Sequence, residues 1–294
     1  KKGNLADCDL AISATHEEQS LESVPEALKQ GVRVIDTSGA FRLKNPEDYK
    51  KYYGITHPYP DLLQEAVYGL PAFYAEEIKT ARLVANPGCY PTGVILALKP
   101  LEDMLQGTAI IDSTSGISGA RKDFWKFIGD FVWRSFAYYT RKDAESITNE
   151  RTYKNRKHIP EMACYSGFKI LFTPVVIESV FRGINMNIKV ELSDKLKGMP
   201  DEEAAQEIAS KIQQYYKPDD LVMAVANQVG KYGTGNVNHT HKIIINVEVI
   251  DGFAKINSLI DNLGKGAASQ AVENMHIMLG YPRLYKIGET YRTN

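Results

Sequence analysis

What this 294-residue chain has little of narrows its reading first. Its three cysteines, Cys8, Cys89 and Cys164, are odd in number and far apart. That spacing argues against a disulfide framework and makes a reducing cytoplasm the expected setting. No apolar run approaches the length of a bilayer span and no signal peptide is visible, so no membrane partner is expected. Lys and Arg (35) nearly balance Asp and Glu (36), and a net charge of −1 gives no field for nucleic acid. The basic run Arg151 to Lys157 is too local to change that. No G-x-G-x-x-G fingerprint is present, and there is no initiator methionine. Lys1-Lys2-Gly3-Asn4 leads at once into a strand-like run, so the chain reads as a fragment whose dinucleotide fingerprint, if it has one, lies upstream. Internal repeats and low-complexity stretches are lacking too.

What is there has the texture of an ordinary soluble globular protein, 44% hydrophobic and 24% charged, long enough for two domains or one large one. Residues 8–14 read as a strand, 17–30 as a helix closed by Gly31, and 32–36 as a second strand. Strand, helix, strand at this spacing is a βαβ unit, hence a parallel sheet with a ligand crevice at the carboxyl ends of its strands. Helices are expected over 45–53 and 75–80, and a buried strand over 82–85. Residues 108–112 read as a strand running into a small-residue loop, Ser113 to Ala120, able to cradle a phosphate or lie against a flat ring. The aromatic stretch 124–139 suits either packing or subunit contact. From Phe168 the pattern changes: strands over 168–176, 184–192, 241–250 and 254–260 surround one amphipathic helix, 201–216. This is an α+β domain on a mainly antiparallel sheet. A helix opened by small residues is expected from Asp261 to Leu279.

The stretch with the most chemistry in it is Asn86-Pro87-Gly88-Cys89-Tyr90-Pro91-Thr92. Asn86-Pro87-Gly88 is a turn signal after a strand, and Pro91 opens a helical pattern from Thr92 to Met104. Cys89 therefore sits just before a helix N-terminus, where unpaired N–H groups and the dipole favour a thiolate and could hold an oxyanion. The competing reading is a small buried cysteine. His158, flanked by Arg156 and Lys157 and followed by Pro160 and Glu161, is either a structural histidine or an acid–base group oriented by that carboxylate. His239 and His241 fall on one face of the expected strand, but without a third ligand they make no zinc site, and no metal is expected.

Taken together, these motifs resemble the N-acetyl-γ-glutamyl-phosphate reductase family. The resemblance is carried by Asn86 to Thr92, Asp36 to Leu43, Ser115 to Ala120, Lys157 to Met162, Phe172-Thr173-Pro174 with Arg182-Gly183-Ile184, and Asp261 to Met278. It implies an α/β fold: a partial Rossmann-type parallel-sheet NAD(P)-binding domain (1–88 and 262–294) with an α+β catalytic and dimerisation domain (89–261). The latter is of the glyceraldehyde-3-phosphate and aspartate-semialdehyde dehydrogenase type. It also implies a homodimer or homotetramer, a small-molecule acyl phosphate substrate and NADP as cofactor.

In that family the implied chemistry makes Cys89 the nucleophile and His158 its acid–base partner. Arg42, Asn86, Glu161 and Ser118 would bind substrate. Ser38, Gly39, Ser115, Gly116, Gly119, Asn262 and Gly266 would surround the cofactor. The chain departs from the family pattern at Arg156, where a histidine is common, at Arg121, where a glycine is usual, and at Val175, again for a histidine. A reductase of carrier-linked aminoadipyl phosphate in lysine biosynthesis shares much of this pattern. A non-catalytic relative that binds nucleotide or a partner is the alternative from another class.

Overall fold

In the computed structural model, residues 8–119, 157–177 and 180–287 are described. The aromatic stretch 124–139, Arg121 and Arg156 lie outside them. Four short strands, β1 (Leu10–Ser13), β2 (Arg33–Asp36), β3 (Val67–Tyr68) and β4 (Leu83–Ala85), form a parallel sheet in the order β1-β2-β4-β3. Helix α1 (Glu17–Lys29) makes the crossover from β1 to β2. It carries Glu17 and Glu18 in its first turn, where the dipole favours them, and it buries Val24, Ala27 and Leu28. Gly31, at φ +81°, turns the chain out of it. Helix α2 (Pro46–Tyr53) is capped by Asn45, whose side chain accepts from the Glu47 N–H, and α3 (Pro60–Glu65) and α4 (Pro71–Thr80) follow.

The next helix, α5 (Cys89–Leu98), is buried at every position from Tyr90 to Leu98. An α-helix apolar all round belongs in a core rather than on a surface. Gly93 permits this, since a Cβ there would meet the Met186 side chain at 2.1 Å. After α5 comes a second sheet of six strands: β5 (Leu105–Gly116), β6 (Lys169–Ile177), β7 (Ile184–Leu192), β8 (Val222–Ala226), β9 (Ile243–Ile250) and β10 (Phe253–Ile260). Their order is β6-β5-β7-β10-β9-β8. The β5/β6 and β8/β9 pairs are parallel, and the three others are antiparallel. Along β7, Ile184, Met186, Ile188, Val190 and Leu192 are buried, while Asn187, Lys189 and Glu191 face outward, the period of two expected of a half-covered sheet. The covered face packs in one core with α5 and with α7 (Asp201–Tyr215), and α6 (His158–Ser166) lies beside α5. The last helix, α8 (Ser269–Leu279), returns to the parallel sheet, where Ala271 and Met278 pack with Ile35, Ile78 and Val84.

The departures from expectation are local. The segment read as a loop from Ser113 is strand through Gly116, because β6 and β7 hydrogen-bond to it on both sides. Helix α5 begins at Cys89 itself and ends at Leu98. Residues 264–268 form a π-turn before α8. His239 and His241 precede β9 instead of lying on it, with His239 in a left-handed conformation at φ +61°. Strands β3 and β8 and helix α3 were not foreseen.

This packing sets a test. Ile188 is fully buried mid-strand, whereas Lys189 beside it is half exposed and bridges to Asp112. Ile188→Ala is expected to lower unfolding stability in urea by about 2–5 kcal/mol. Lys189→Ala should stay within about 0.5 kcal/mol. Equal losses would contradict the assigned faces.

Candidate active site

Gly88 is the junction at which the candidate residues meet. Its carbonyl accepts from the Thr92 N–H and hydroxyl, starting α5, and Cys89 is the first helical residue. A Cβ on Gly88 would lie 3.0 Å from Arg42 Nη1 and 3.2 Å from His158 Cε1. Its missing side chain is thus what lets the guanidinium and the imidazole close on the cysteine corner. Cys89 is only partly accessible, and desolvation pushes its thiol up to about 11. The N–H of Tyr90 pulls the other way, as does the charge of Arg42, without overcoming burial. The helix terminus lowers the cost of a negative sulfur, as its position suggests, but burial outweighs it, so ionising Cys89 calls for a base.

Behind this corner lies a buried ion pair. Glu161 on α6, fully buried, accepts from the Gly88 N–H (2.8 Å), the Tyr68 hydroxyl (2.8 Å) and Arg42 Nη1 (3.3 Å). Burial alone would raise its carboxyl. Arg42, with His158 and the Gly88 N–H, holds it below the ordinary carboxylate range instead. Arg42 also donates to the carbonyls of Asn86 (2.8 Å) and Thr37 (2.8 Å), which commits three of a guanidinium's five N–H bonds. His158 opens α6 with Nδ1 3.9 Å from Glu161 Oε2, an ion-pair distance too long for a hydrogen bond, and that nitrogen is buried without a partner among the described residues. Its ring packs near those of Tyr90 and Phe172, at centroid distances of 5.6 and 6.4 Å. The preceding Lys157 pairs with Glu17 at 2.8 Å and lies over the Tyr53 ring, fastening the start of α6 to α1.

The remaining candidates fall in three places. Asn86 is buried, and its side chain bridges the Ala267 carbonyl and the Asn274 amide, so it ties β4 to the final helix. Ser115, Gly116, Ser118 and Gly119 lie together beside Asn262, whose amide donates to Ser118 Oγ (3.1 Å) and accepts from the Gly183 N–H (2.7 Å). Gly116 approaches the Phe181–Arg182 backbone so closely that a Cβ would meet it at 2.6 Å. Gly266 does the same to Cys89, with a Cβ only 2.8 Å from that of the cysteine. Ser38 and Gly39 stand apart, after β2. There the Ser38 hydroxyl donates to buried Asp36 (2.6 Å), and a Cβ on Gly39 would strike Tyr53.

Several participants were missed in the sequence. Ser13, Thr15 and Ser20 make a hydroxyl cluster at the carboxyl end of β1, running into Asp36. Tyr68 holds Glu161, and Arg182 grips Asp261, next to Asn262. Scattered hydroxyls carry no spacing signal, and Tyr68 lies 93 positions from its partner. His241, set aside as a strand residue, is buried among Ser269, Glu273 and Lys265. No group of three or more metal-ligating side chains occurs among the described residues.

Comparison with known proteins gives this geometry a family. Residues 1–81 match the family model for the semialdehyde dehydrogenase NAD binding domain, and residues 89–262 match that for the semialdehyde dehydrogenase dimerisation domain. The chain is 34% identical to the N-acetyl-gamma-glutamyl-phosphate reductase of Clostridium novyi (strain NT), covering 95% of this chain and 78% of that one. The protein of the same name from Dehalococcoides mccartyi (strain CBDB1) is 37% identical, with coverage of 92% and 76%. The chain belongs to the N-acetyl-γ-glutamyl-phosphate reductase family. Solved aspartate-semialdehyde dehydrogenases share its fold. One is the type II protein of Vibrio cholerae (TM-score 0.64, 17% identity, coverage of 95% and 82%). Another is the probable enzyme of Pseudomonas aeruginosa (TM-score 0.67, 15% identity, coverage of 95% and 81%). Membership in this reductase family makes the chain an oxidoreductase with an NAD(P)-binding unit on its parallel sheet.

For a reductase of this family, the Glu161–Arg42 pair is a testable feature. Removing one partner of a buried pair strands the other charge, so Glu161→Gln should cost about 3–5 kcal/mol of stability at pH 7. Because the folded carboxyl titrates below its unfolded value, its contribution is complete above about pH 4.3 and is lost as pH falls further. Urea unfolding across that range should show a steeper acid loss in the parent than in Glu161→Gln. Parallel acid losses would contradict the depressed carboxylate.

Proposed function

We propose that this chain reduces N-acetyl-L-glutamyl 5-phosphate to N-acetyl-L-glutamate 5-semialdehyde with release of inorganic phosphate, using NADPH, as a step of arginine biosynthesis. The observation that carries the reading is Cys89 at the N-terminus of α5, with His158 beside Gly88 and the Arg42–Glu161 pair beneath. Cys89 attacks the acyl carbon. Its thiol proton passes to the imidazole of His158, the sulfur–carbon bond forms, and the carbon–phosphate oxygen bond breaks to release phosphate. This leaves a thioester, and splitting one hard displacement into two easier steps is the gain of covalent catalysis. Once that thioester is reduced, His158 returns its proton to the developing alkoxide. The N–H groups of Cys89 and Tyr90 face the same charge. Loss of the thiol from the resulting thiohemiacetal frees the semialdehyde. Among the described residues Arg42 has three of its five N–H bonds engaged, and the other two suit a substrate carboxylate or phosphate, a match to guanidinium geometry.

Hydroxyl groups of Ser13, Thr15 and Thr37 gather at or near the carboxyl ends of β1 and β2 of the parallel sheet. That is the side on which open α/β sheets bind nucleotides, and these polar groups fit a nicotinamide dinucleotide. Bound there, NADPH supplies the hydride that reduces the thioester. Ser115, Gly116, Gly119 and Asn262 at the end of the six-stranded sheet, Gly266 beside Cys89, and Ser38 and Gly39 after β2 are the further cofactor positions in this reading. We assign 1–88 and 262–294 to the cofactor domain and 89–261 to the catalytic domain. The open face of the six-stranded sheet presents Ile110, Leu171, Val175 and Phe253. Together with the matched dimerisation domain, these support a homodimer or homotetramer. Three free cysteines suit a cytoplasmic enzyme.

The test is phosphate-dependent reduction of NADP⁺ by N-acetylglutamate semialdehyde. Cys89→Ser should abolish it. His158→Asn should lower kcat by about 10²–10⁴-fold, the range for a lost acid–base group. Full activity in Cys89→Ser would overturn the proposal.

A further inference from the structure

The molecule buries a second set of charges that the reaction does not use. Lys265 and Glu273 are almost completely buried, with Lys265 Nζ 3.0 Å from Glu273 Oε2 and 3.2 Å from His241 Nε2. Glu273 Oε2 also meets His241 Nε2 (2.7 Å) and Gln270 Nε2 (2.8 Å), and its other oxygen pairs with Arg283. Arg283 reaches Asp220 at 2.6 Å, and His241 Nδ1 lies 2.6 Å from Ser269 Oγ. Burial keeps His241 neutral, pushing it down to about 4. Such a set is a poor way to gain stability, since apolar residues of similar volume commonly do as well. What it is attached to is more informative.

Lys265 is the second residue of the π-turn Gly264–Ala268. The backbone bonds Gly266 N–H to Asp261 and Ala268 N–H to Leu263 span five residues, a geometry that occurs mostly as single turns in helices and is frequent at functional sites. The residue after Lys265, Gly266, presses on Cys89, and the next carbonyl, that of Ala267, receives the Asn86 amide. Asp261 holds the front of the turn through the Leu263 N–H and is itself gripped by Arg182. The Lys265 ammonium is the side chain that anchors its middle.

We propose that Lys265 is a positioning residue: its buried ammonium, held by Glu273, fixes the π-turn that presses Gly266 against Cys89 and so sets the direction of the thiol. The proposal rests on the reading of Cys89 as nucleophile. It assigns Lys265 no contact with substrate. A displaced attacking atom loses rate without losing affinity, and shifts of an ångström can cost on the order of 10²-fold.

The experiment is a pre-steady-state one on the purified protein: N-acetylglutamate semialdehyde and NADP⁺ mixed without phosphate, with NADPH absorbance followed. Parent, Lys265→Met, the charge-neutral double variant Lys265→Met/Glu273→Gln, and Gly266→Ala are compared. Each variant is expected to slow the burst by roughly ten- to a hundredfold. Its amplitude should be unchanged, and steady-state KM should stay within about twofold while kcat falls. A merely structural role would do the reverse, lowering the amplitude through a misfolded fraction and leaving the burst rate of the remainder intact. Parent-like burst rates in the Lys265 variants overturn the proposal. Should neither Lys265 variant fold, a parent-like rate in Gly266→Ala overturns it. A parent without any burst removes the nucleophile reading, and the proposal with it.

Discussion

The structure turns on one buried ion pair, Arg42 with Glu161. Arg42 comes from the loop after β2 of the parallel sheet, and Glu161 comes from α6, beside the six-stranded sheet. Bringing two charges out of water is costly unless every remaining donor and acceptor finds a partner. Here most do: the carboxylate collects Gly88, Tyr68 and Arg42, and the guanidinium reaches back to the Asn86 and Thr37 carbonyls. Both ends of the turn before Cys89 are therefore held by the same pair. The corner cannot move without stranding a charge.

That constraint explains the division of chemical labour. A cysteine at a helix terminus is expected to ionise easily, but this one is desolvated enough to remain a thiol. In the proposed reaction the sulfur loses its proton at the moment of attack, to the imidazole of His158. Glu161 spends its hydrogen bonds on the turn and stands 3.9 Å from His158 Nδ1, too far to hydrogen-bond the ring. One carboxylate thus holds the backbone before Cys89 and places a negative charge near His158. The glycines serve the same geometry from outside: Gly88 admits the guanidinium and the imidazole, and Gly266 admits the π-turn.

Much of this was legible in the sequence because it is written locally. The βαβ unit, the alternating strand β7 and the helix 201–215 follow from periodicity and end signals. The cysteine corner follows from Asn86-Pro87-Gly88 and the apolar run after it. The Ser113–Gly116 strand was hidden because small polar residues read as loop, although neighbours on both sides of β5 hold them extended. The opposing burial of Cys89 was not legible, because a dipole can be inferred from sequence, whereas desolvation depends on what packs around the sulfur. His241 was set aside for the same reason. Its partners Glu273 and Lys265 lie 32 and 24 positions away and meet it only through the return of α8 to the parallel sheet.

The central claim is that Cys89 carries the acyl group, and the most direct measurement is the mass of the protein after a half-reaction. The protein is incubated with N-acetylglutamate semialdehyde and NADP⁺ in the absence of phosphate, then quenched in acid and digested. The account predicts a stoichiometric N-acetylglutamyl adduct on the peptide containing Cys89, discharged when phosphate is added. Turnover with phosphate but no adduct on that peptide, or an adduct at Cys8 or Cys164 instead, would contradict it.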